Sequence, residues 1–198
     1  MKPLKRIFES REAVFAGLLI AALSTACVTP GGGGTELFNG KNLDGWEVTD
    51  FAGGGAIKVK DGEIHMAMGE LISGINLAHE NIPRTNYELE AEAMKLDGND
   101  FFCGLTFPVG DTFASFIPGG WGGTVVGISS IDGMDAAENE TATFKQFKTH
   151  QWYHFRVRVT PGKIQCWVDD EMVVDLLLED RAIALRAGPI ELSVPIGI

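Results

Sequence analysis

Strict alternation of apolar and polar side chains in two segments constrains the fold of this chain more than any other feature. Residues 87–93 place Tyr, Leu and Ala on one face and three glutamates on the other, and residues 153–159 repeat the pattern with His and Arg outside. A period of two is typical of a half-buried β-strand. The Pro161-Gly162 turn then predicts a hairpin over residues 153–168. If the two strands lie close together, their glutamates and arginines pair across one solvated face.

Shorter apolar segments between turn residues predict further strands, at residues 57–60, 63–68, 71–77, 101–109, 112–117, 124–129 and 172–174. The segments between 101 and 129 are almost continuously apolar, which indicates strands covered on both sides. Residues 178–186 allow a short helix, but their place in the hairpin series favours a strand. The 25 glycines are scattered, as expected of a chain that turns often. We therefore predict an all-β domain over residues 35–198, a two-sheet antiparallel β-sandwich or jelly roll.

The first residues predict export rather than part of the fold. A positively charged start precedes an uncharged apolar run, residues 13–26, that is shorter than the roughly 20 residues of a membrane span but suits a secretion signal. Small residues lead into Cys27, which resembles the bacterial lipobox. We expect a signal peptide over 1–26, acylation of Cys27 and a glycine-rich tether over 27–34. The alternative is an ordinary signal peptide with a coincidental cysteine.

This leader implies an exported bacterial lipoprotein that faces the periplasm or the cell surface and meets the membrane only through its anchor. The formal net charge of −11, without any basic run to offset it, excludes nucleic acid as a partner. Cys103 and Cys166 could form a disulfide in an oxidising compartment. Their apolar strand positions favour two free cysteines in the core instead.

A tryptophan between glycines is the first candidate binding residue. Trp121 has two glycines on each side, so no bulky neighbour is available to bury it. An exposed aromatic face can stack on a sugar ring. The alternative is that the glycines admit a core tryptophan into a tight turn.

An acidic segment follows the tryptophan. Asp132, Asp135 and Glu138 are spaced like an oxygen-rich loop that could hold a divalent metal such as Ca²⁺. The same carboxylates could act as general acid and base on a glycosidic bond. A solvated acidic loop without either role is the alternative.

The opening Leu-Phe-Asn-Gly-Lys-Asn-Leu-Asp-Gly-Trp, residues 37–46, resembles the start of the 3-keto-disaccharide hydrolase family. Further matching pieces follow in the family's order, at residues 61–62, 87–89, 151–153, 168–170 and 194–198. The resemblance implies a concanavalin A-like or laminin G-like sandwich that cleaves glycosidic bonds of 3-keto-sugars. Residues 99–105 depart from the family, which carries an Arg in this strand. The family also continues beyond the segment at 194–198, so a final strand is expected to be missing.

The candidate residues follow from these segments and from the resemblance together. For the enzyme that the resemblance implies, the candidates for catalysis are Asp100, Asp132 and Glu138, and the candidates for substrate binding are Trp121, Asn99 and Asn139. Metal binding would fall to Asp132, Asp135 and Glu138. A different function remains open, a noncatalytic lectin-like carbohydrate-binding module at the cell envelope. Both hypotheses expect a carbohydrate partner.

Overall fold

The two alternating strands predicted from the sequence are neighbours in a six-stranded antiparallel sheet. A computed structural model of the protein describes residues 22–26, 34–79 and 81–198. Its elements are β1 (Ala22–Ala26), β2 (Thr35–Glu36), β3 (Trp46–Val48), β4 (Ile57–Lys60), β5 (Glu63–Met66), β6 (Ile75–Leu77), β7 (Tyr87–Met94), β8 (Leu105–Val109), β9 (Thr112–Gly120), β10 (Val125–Ser129), β11 (Thr143–Phe144), β12 (Trp152–Thr160), β13 (Lys163–Val168), β14 (Glu171–Leu177) and one 3₁₀-helix, η1 (Pro189–Ser193).

The first sheet has the order β14-β13-β12-β7-β1-β2. The register of β7 and β12 places Glu88 opposite Arg158, and their side chains form the predicted cross-strand ion pair. Glu90 pairs instead with His154, at 3.3 Å between carboxylate and imidazole. Glu88 is buried rather than solvated. Its charge is therefore balanced by Arg158 and not by water.

The second sheet has the order β11-β10-β9-β8, and the C-terminal residues extend it. Gly197 forms bridges to Thr106 of β8 on one side and to Asn76 of β6 on the other. β6 in turn pairs with β3. The last residues therefore connect the β3–β6 pair to the main body of the sheet. All residues of β8 and β10 are buried, which confirms the prediction that these strands are covered on both faces.

The core lies between the two sheets. Its largest fully buried side chains include Phe107 and Phe116 of the second sheet and Leu89, Phe155 and Ile164 of the first. Because side chains alternate along a strand, the residues between these core positions point to the outer face of each sheet. The antiparallel all-β architecture predicted from the sequence is confirmed, and residues 34–79 and 81–198 contain no α-helix.

Three predicted strands are corrected. The strand expected at 71–77 begins only at Ile75, and that expected at 101–109 begins at Leu105. Residues 178–186 form neither strand nor helix and have a single bridge, from Ile183 to Ile131. They run beside residues 130–132, with backbone bonds such as Ser130 N to Ala184 O at 2.8 Å. The ion pair between Arg181 and Asp132 holds this segment in place, and the local sequence pattern does not indicate that contact.

The expected leader falls largely outside the described residues. Residues 1–21 and 27–33, including Cys27, are not described, while Ala22–Ala26 forms β1 beside β7.

Cys103 and Cys166 are buried and free. Burial raises the pKa of the Cys103 thiol to about 12 and raises that of Cys166 as well, so both are protonated core residues. Within the part of the chain that is described, no helix has the length and apolarity to cross a membrane.

Candidate active site on the outer face of the second sheet

Three hydroxyl side chains form a polar row across the outer face of the second sheet. Thr106 of β8 is the register partner of Ser115 of β9, which is also the partner of Ser129 of β10. All three are buried, and the hydroxyls of Thr106 and Ser115 lie 2.9 Å apart. Buried polar groups of this kind need hydrogen-bond partners, so the row is held in a defined geometry.

Asp135 ends this polar row. The Ser129 hydroxyl donates to Asp135 Oδ1 at 3.1 Å, and Arg186 Nε lies 3.0 Å from Asp135 Oδ2. The Asp135 side chain is 22% exposed and that of Arg186 is 57% exposed. The carboxylate is thus held from both sides. A carboxylate and a partly exposed cation therefore lie side by side near the surface.

Trp121 stands next to this pair. It lies in the turn between β9 and β10 at a φ of 43° and is 39% exposed. Its ring centroid lies 5.6 Å from Arg186 Cζ. The glycines around it are required by the backbone, because Gly119, Gly122 and Gly123 all have positive φ. The glycine-rich segment is a turn that presents Trp121 to solvent beside Arg186.

The segment before β8 packs against the same turn. Asp100 Oδ1 accepts a hydrogen bond from Gly122 N at 2.8 Å. The carbonyl of Asn99 is so close to Gly123 that a Cβ there would lie 2.8 Å from it. The structure therefore brings together Asn99, Asp100 and Trp121, three residues that the sequence predicted for the site.

Asp132 lies in a second ion pair and has a structural role. Its Oδ1 accepts from Ala182 N at 2.8 Å and its Oδ2 from Arg181 Nη1 at 2.7 Å. Arg181 Nη2 also lies 2.5 Å from Glu140. The backbone bond from Ala182, and then the bond from Arg181, lower the pKa of Asp132. These contacts hold residues 181–186 beside the acidic loop, and so place Arg186 at Asp135.

The expected metal loop does not assemble. Among residues 34–79 and 81–198, no three His, Cys, Asp or Glu side chains are grouped so that they could hold a metal ion. Asp132 and Asp135 are each paired with an arginine, and Glu138 is an exposed residue whose backbone N bonds to Asp135 O. A guanidinium already balances each aspartate, so this donor set does not fit a divalent cation, and we derive no step through one.

Asn139, which the sequence predicted for substrate binding, is buried and shapes the loop instead. Its Nδ2 lies within 3.1 Å of three backbone carbonyls, those of residues 128, 134 and 135. Its Oδ1 accepts from both N and Oγ1 of Thr141. Every polar atom of the side chain is used, and none is left for a sugar.

Replacing Asn139 by Ala is therefore expected to lower the free energy of unfolding by about 3 kcal/mol, because several buried groups lose their partners at once. Urea denaturation of the variant and of Gln151→Ala, which truncates an exposed amide, measures the difference. Equal midpoints for the two variants would contradict a structural role for Asn139.

The sequence patterns did not predict a role for Arg181, Arg186 or the hydroxyl row. A role for Ser115 and Ser129 could have been predicted, since a serine within a fully buried strand needs a hydrogen-bond partner. The ion pairs of the two arginines could not, because each arginine lies more than 40 residues from its aspartate along the chain.

These features define a β-sandwich protein with an aromatic and charged surface site on one sheet. Residues 33–195 match the model of the 3-keto-alpha-glucoside-1,2-lyase-like domain, and the chain belongs to this family. The match confirms the family that the opening motif indicated, and a sugar is the substrate class that such a family suggests. No curated protein and no solved structure matched the chain.

Proposed function

We propose that this domain cleaves the glycosidic bond of 3-keto-glucosides by elimination across C1 and C2 of the oxidised ring. The observation that carries the proposal is the arrangement of Asp135 between Ser129 and Arg186, beside the exposed Trp121. It supplies a base, a cation and an aromatic platform within one surface. An elimination next to a ketone needs the base, the cation stabilises the enolate, and the aromatic ring can hold the sugar.

The reaction begins at the carbon next to the ketone. The 3-keto group acidifies the C2–H bond, and Asp135 takes that proton. The electron pair of the bond forms a C2–C3 double bond and places negative charge on the C3 oxygen. The guanidinium of Arg186, whose Nε lies 3.0 Å from Asp135 Oδ2, stabilises this enolate.

The second step releases the leaving group. As the enolate returns to a ketone, its electrons form the C1–C2 double bond and the C1–O glycosidic bond breaks. The protonated Asp135 gives its proton to the departing oxygen, so that the carboxylate is regenerated. Trp121 holds the oxidised ring over the pair during both steps. Addition of water to the unsaturated product completes net hydrolysis.

Asp135 fits the role of the base better than the carboxylates predicted from the sequence. Asp132 is held in its charged form by Ala182 and Arg181, so it binds a proton weakly. Asp100 accepts the Gly122 backbone bond and fixes the turn. Glu138 is exposed, and its side chain has no contact with the hydroxyl row in the described part of the chain.

Incubation of the domain with a 3-keto-disaccharide in D₂O tests the proposal. We expect release of the second sugar, an unsaturated product detected by mass spectrometry, and deuterium at C2 of substrate or hydrated product. A parallel reaction with EDTA tests the metal expectation, since loss of rate would require a ligand set other than the paired aspartates. Absence of cleavage by the folded domain would contradict the proposal.

The exposed Trp121 also favours a second candidate function, a noncatalytic carbohydrate-binding module. In that case the domain does not cleave the glycan. Trp121→Ala lowers its glycan affinity, and Asp135→Asn does not change that affinity. The elimination proposal expects both variants to lose activity. Isothermal titration with neutral oligosaccharides, beside the activity assay, separates the two functions.

We further propose that the chain is exported and acylated at Cys27, with residues 27–34 as a tether. The apolar run and the small residues before Cys27 support this. Cys27→Ser is expected to move the full-length protein from the membrane fraction to the soluble fraction and to abolish palmitate labelling in bacterial cells. Labelling that persists in this variant would contradict acylation at Cys27. Cleavage before Cys27 would also remove β1 from its place beside β7.

A further inference from the structure

A cleft of about 560 Å³ opens at one end of the sandwich. It lies where strands of both sheets reverse, between the β8–β9 turn and the β12–β13 turn, and residues 178–183 form its third side. Its size falls within the range of small-molecule sites, about 300–1,000 Å³. Trp121, Asp135 and Arg186 do not line it, so the cleft is distinct from the proposed active site.

The inner wall of this cleft is aliphatic. Val109 belongs to the core, and Leu178 and Ile183 are partly buried and pack against the core. Pro161 lies exposed at the rim. Apart from Val109, the lining residues are partly or fully exposed, so a ligand can reach the cleft from solvent. The described residues that line it include no aromatic ring, and the wall therefore favours a flexible aliphatic chain over a stacked sugar.

The polar groups around the cleft favour a neutral ligand. The hydroxyls of Thr85 and Thr112 line it, and neither has a hydrogen-bond partner within the described part of the chain. Arg181 is the one charged residue among the described residues that line it. Its guanidinium is already paired, at 2.7 Å with Asp132 and at 2.5 Å with Glu140. No free charge is left for an ionic head group, and the net charge of −11 disfavours an anion.

We propose that this cleft binds the aliphatic chain of a neutral amphiphile, a medium-chain alcohol in its simplest form. The chain lies against Leu178 and Ile183, and the hydroxyl head bonds to Thr85 or Thr112. Each methylene that leaves water strengthens binding about fourfold, and the threonines satisfy the head group. A carboxylate head would lose its hydration without gaining a free cation. This site does not depend on the proposed elimination.

Isothermal titration of the full-length protein with 1-octanol, 1-butanol and octanoate at neutral pH tests the ligand class. Octanol is expected to bind at least about tenfold more tightly than butanol, because butanol has four fewer methylenes to bury. Octanoate matches octanol in length but carries a charge, and it is expected to bind more weakly. Equal affinities for octanol and butanol would overturn the aliphatic site, and equal affinities for octanol and octanoate would overturn the neutral head group.

Variants of Ala182 test the location of the site. Ala182 is an exposed lining residue whose backbone N bonds to Asp132, and that bond does not need the small side chain. Ala182→Phe fills the cleft and is expected to weaken octanol binding about tenfold, the effect of returning about two methylenes to water. Ala182→Leu makes the same test with a smaller side chain, if thermal melting shows that the Phe variant does not fold.

Ala52→Phe is the matched control, because Ala52 is an exposed alanine that does not line the cleft. It is expected to keep the affinity of the unmodified protein for octanol. If the folded Ala182 variant binds octanol as tightly as Ala52→Phe, the cleft is not the binding site and the proposal is refuted. Octanol binding by a protein that cleaves no 3-keto-sugar would support this site and overturn only the elimination.

Discussion

Asp135→Asn is expected to lower kcat for cleavage of a 3-keto-glucoside about a thousandfold, within the range of a lost general base. The amide cannot take the C2 proton, because it is not basic. Its oxygen can still accept the Ser129 hydroxyl, which lies 3.1 Å from Asp135 Oδ1. The fold and substrate binding are therefore expected to survive, so that KM changes little. Steady-state kinetics and circular dichroism of the purified variant measure both properties.

Asp175→Asn provides the control for that experiment. Asp175 lies on β14 and bonds to Lys163 and Gln165, so this variant also removes one charge from an ion-paired aspartate. It is expected to keep full activity, since Asp175 is an exposed residue on the edge strand of the other sheet. Retention of more than a tenth of the activity by Asp135→Asn would exclude Asp135 as the base and would favour Asp100.

Arg186→Met is expected to lower kcat about a hundredfold, the size reported for a single lost donor to a developing oxyanion. Methionine keeps an apolar stem beside Trp121 but has no positive charge for the enolate. Because the charge on the C3 oxygen develops only during proton removal, the loss should fall on kcat and leave KM nearly unchanged. Exchange of the C2 proton with D₂O should slow in parallel.

Arg156→Met is a closely matched control for this second variant. Arg156 also covers a tryptophan, with its Cζ 4.1 Å from the ring centroid of Trp167, but it lies on the outer face of the first sheet. It is expected to leave kcat unchanged. If Arg186→Met raises KM and leaves kcat intact, Arg186 binds the sugar in the ground state and the enolate is stabilised by another group.

Arg186 lies in a different segment from the one in which the resemblance led us to expect an arginine. The family pattern places an Arg in the strand near residues 99–105, and this chain has none there. The structure presents a guanidinium to the same surface from residues 181–186, which bond along residues 130–132. The segment is held there by Asp132 and Arg181, a contact across 49 positions of the chain.

Asn139 is a polar residue that the sequence predicted to be exposed and available to a sugar, but the structure buries it. Its neighbours Glu138 and Glu140 are acidic and exposed, so the local sequence predicted a solvated loop. The loop folds back over β10, and the side-chain amide of Asn139 donates to the backbone carbonyls of residues 128, 134 and 135. The polarity of a side chain does not distinguish a ligand contact from an internal bond.

The sequence by itself determined the sheet structure of this protein. Alternation with a period of two sets which residues of β7, β12 and β13 face the core, and the Pro-Gly and Asp-Gly turns set where the chain reverses. These properties depend on neighbours a few positions apart. The site was decided only by the tertiary structure, because its parts come from β8, β9, β10, the acidic loop and residues 181–186. Ser129, Asp135 and Arg186 meet through strand register and long-range ion pairs, which no local pattern encodes.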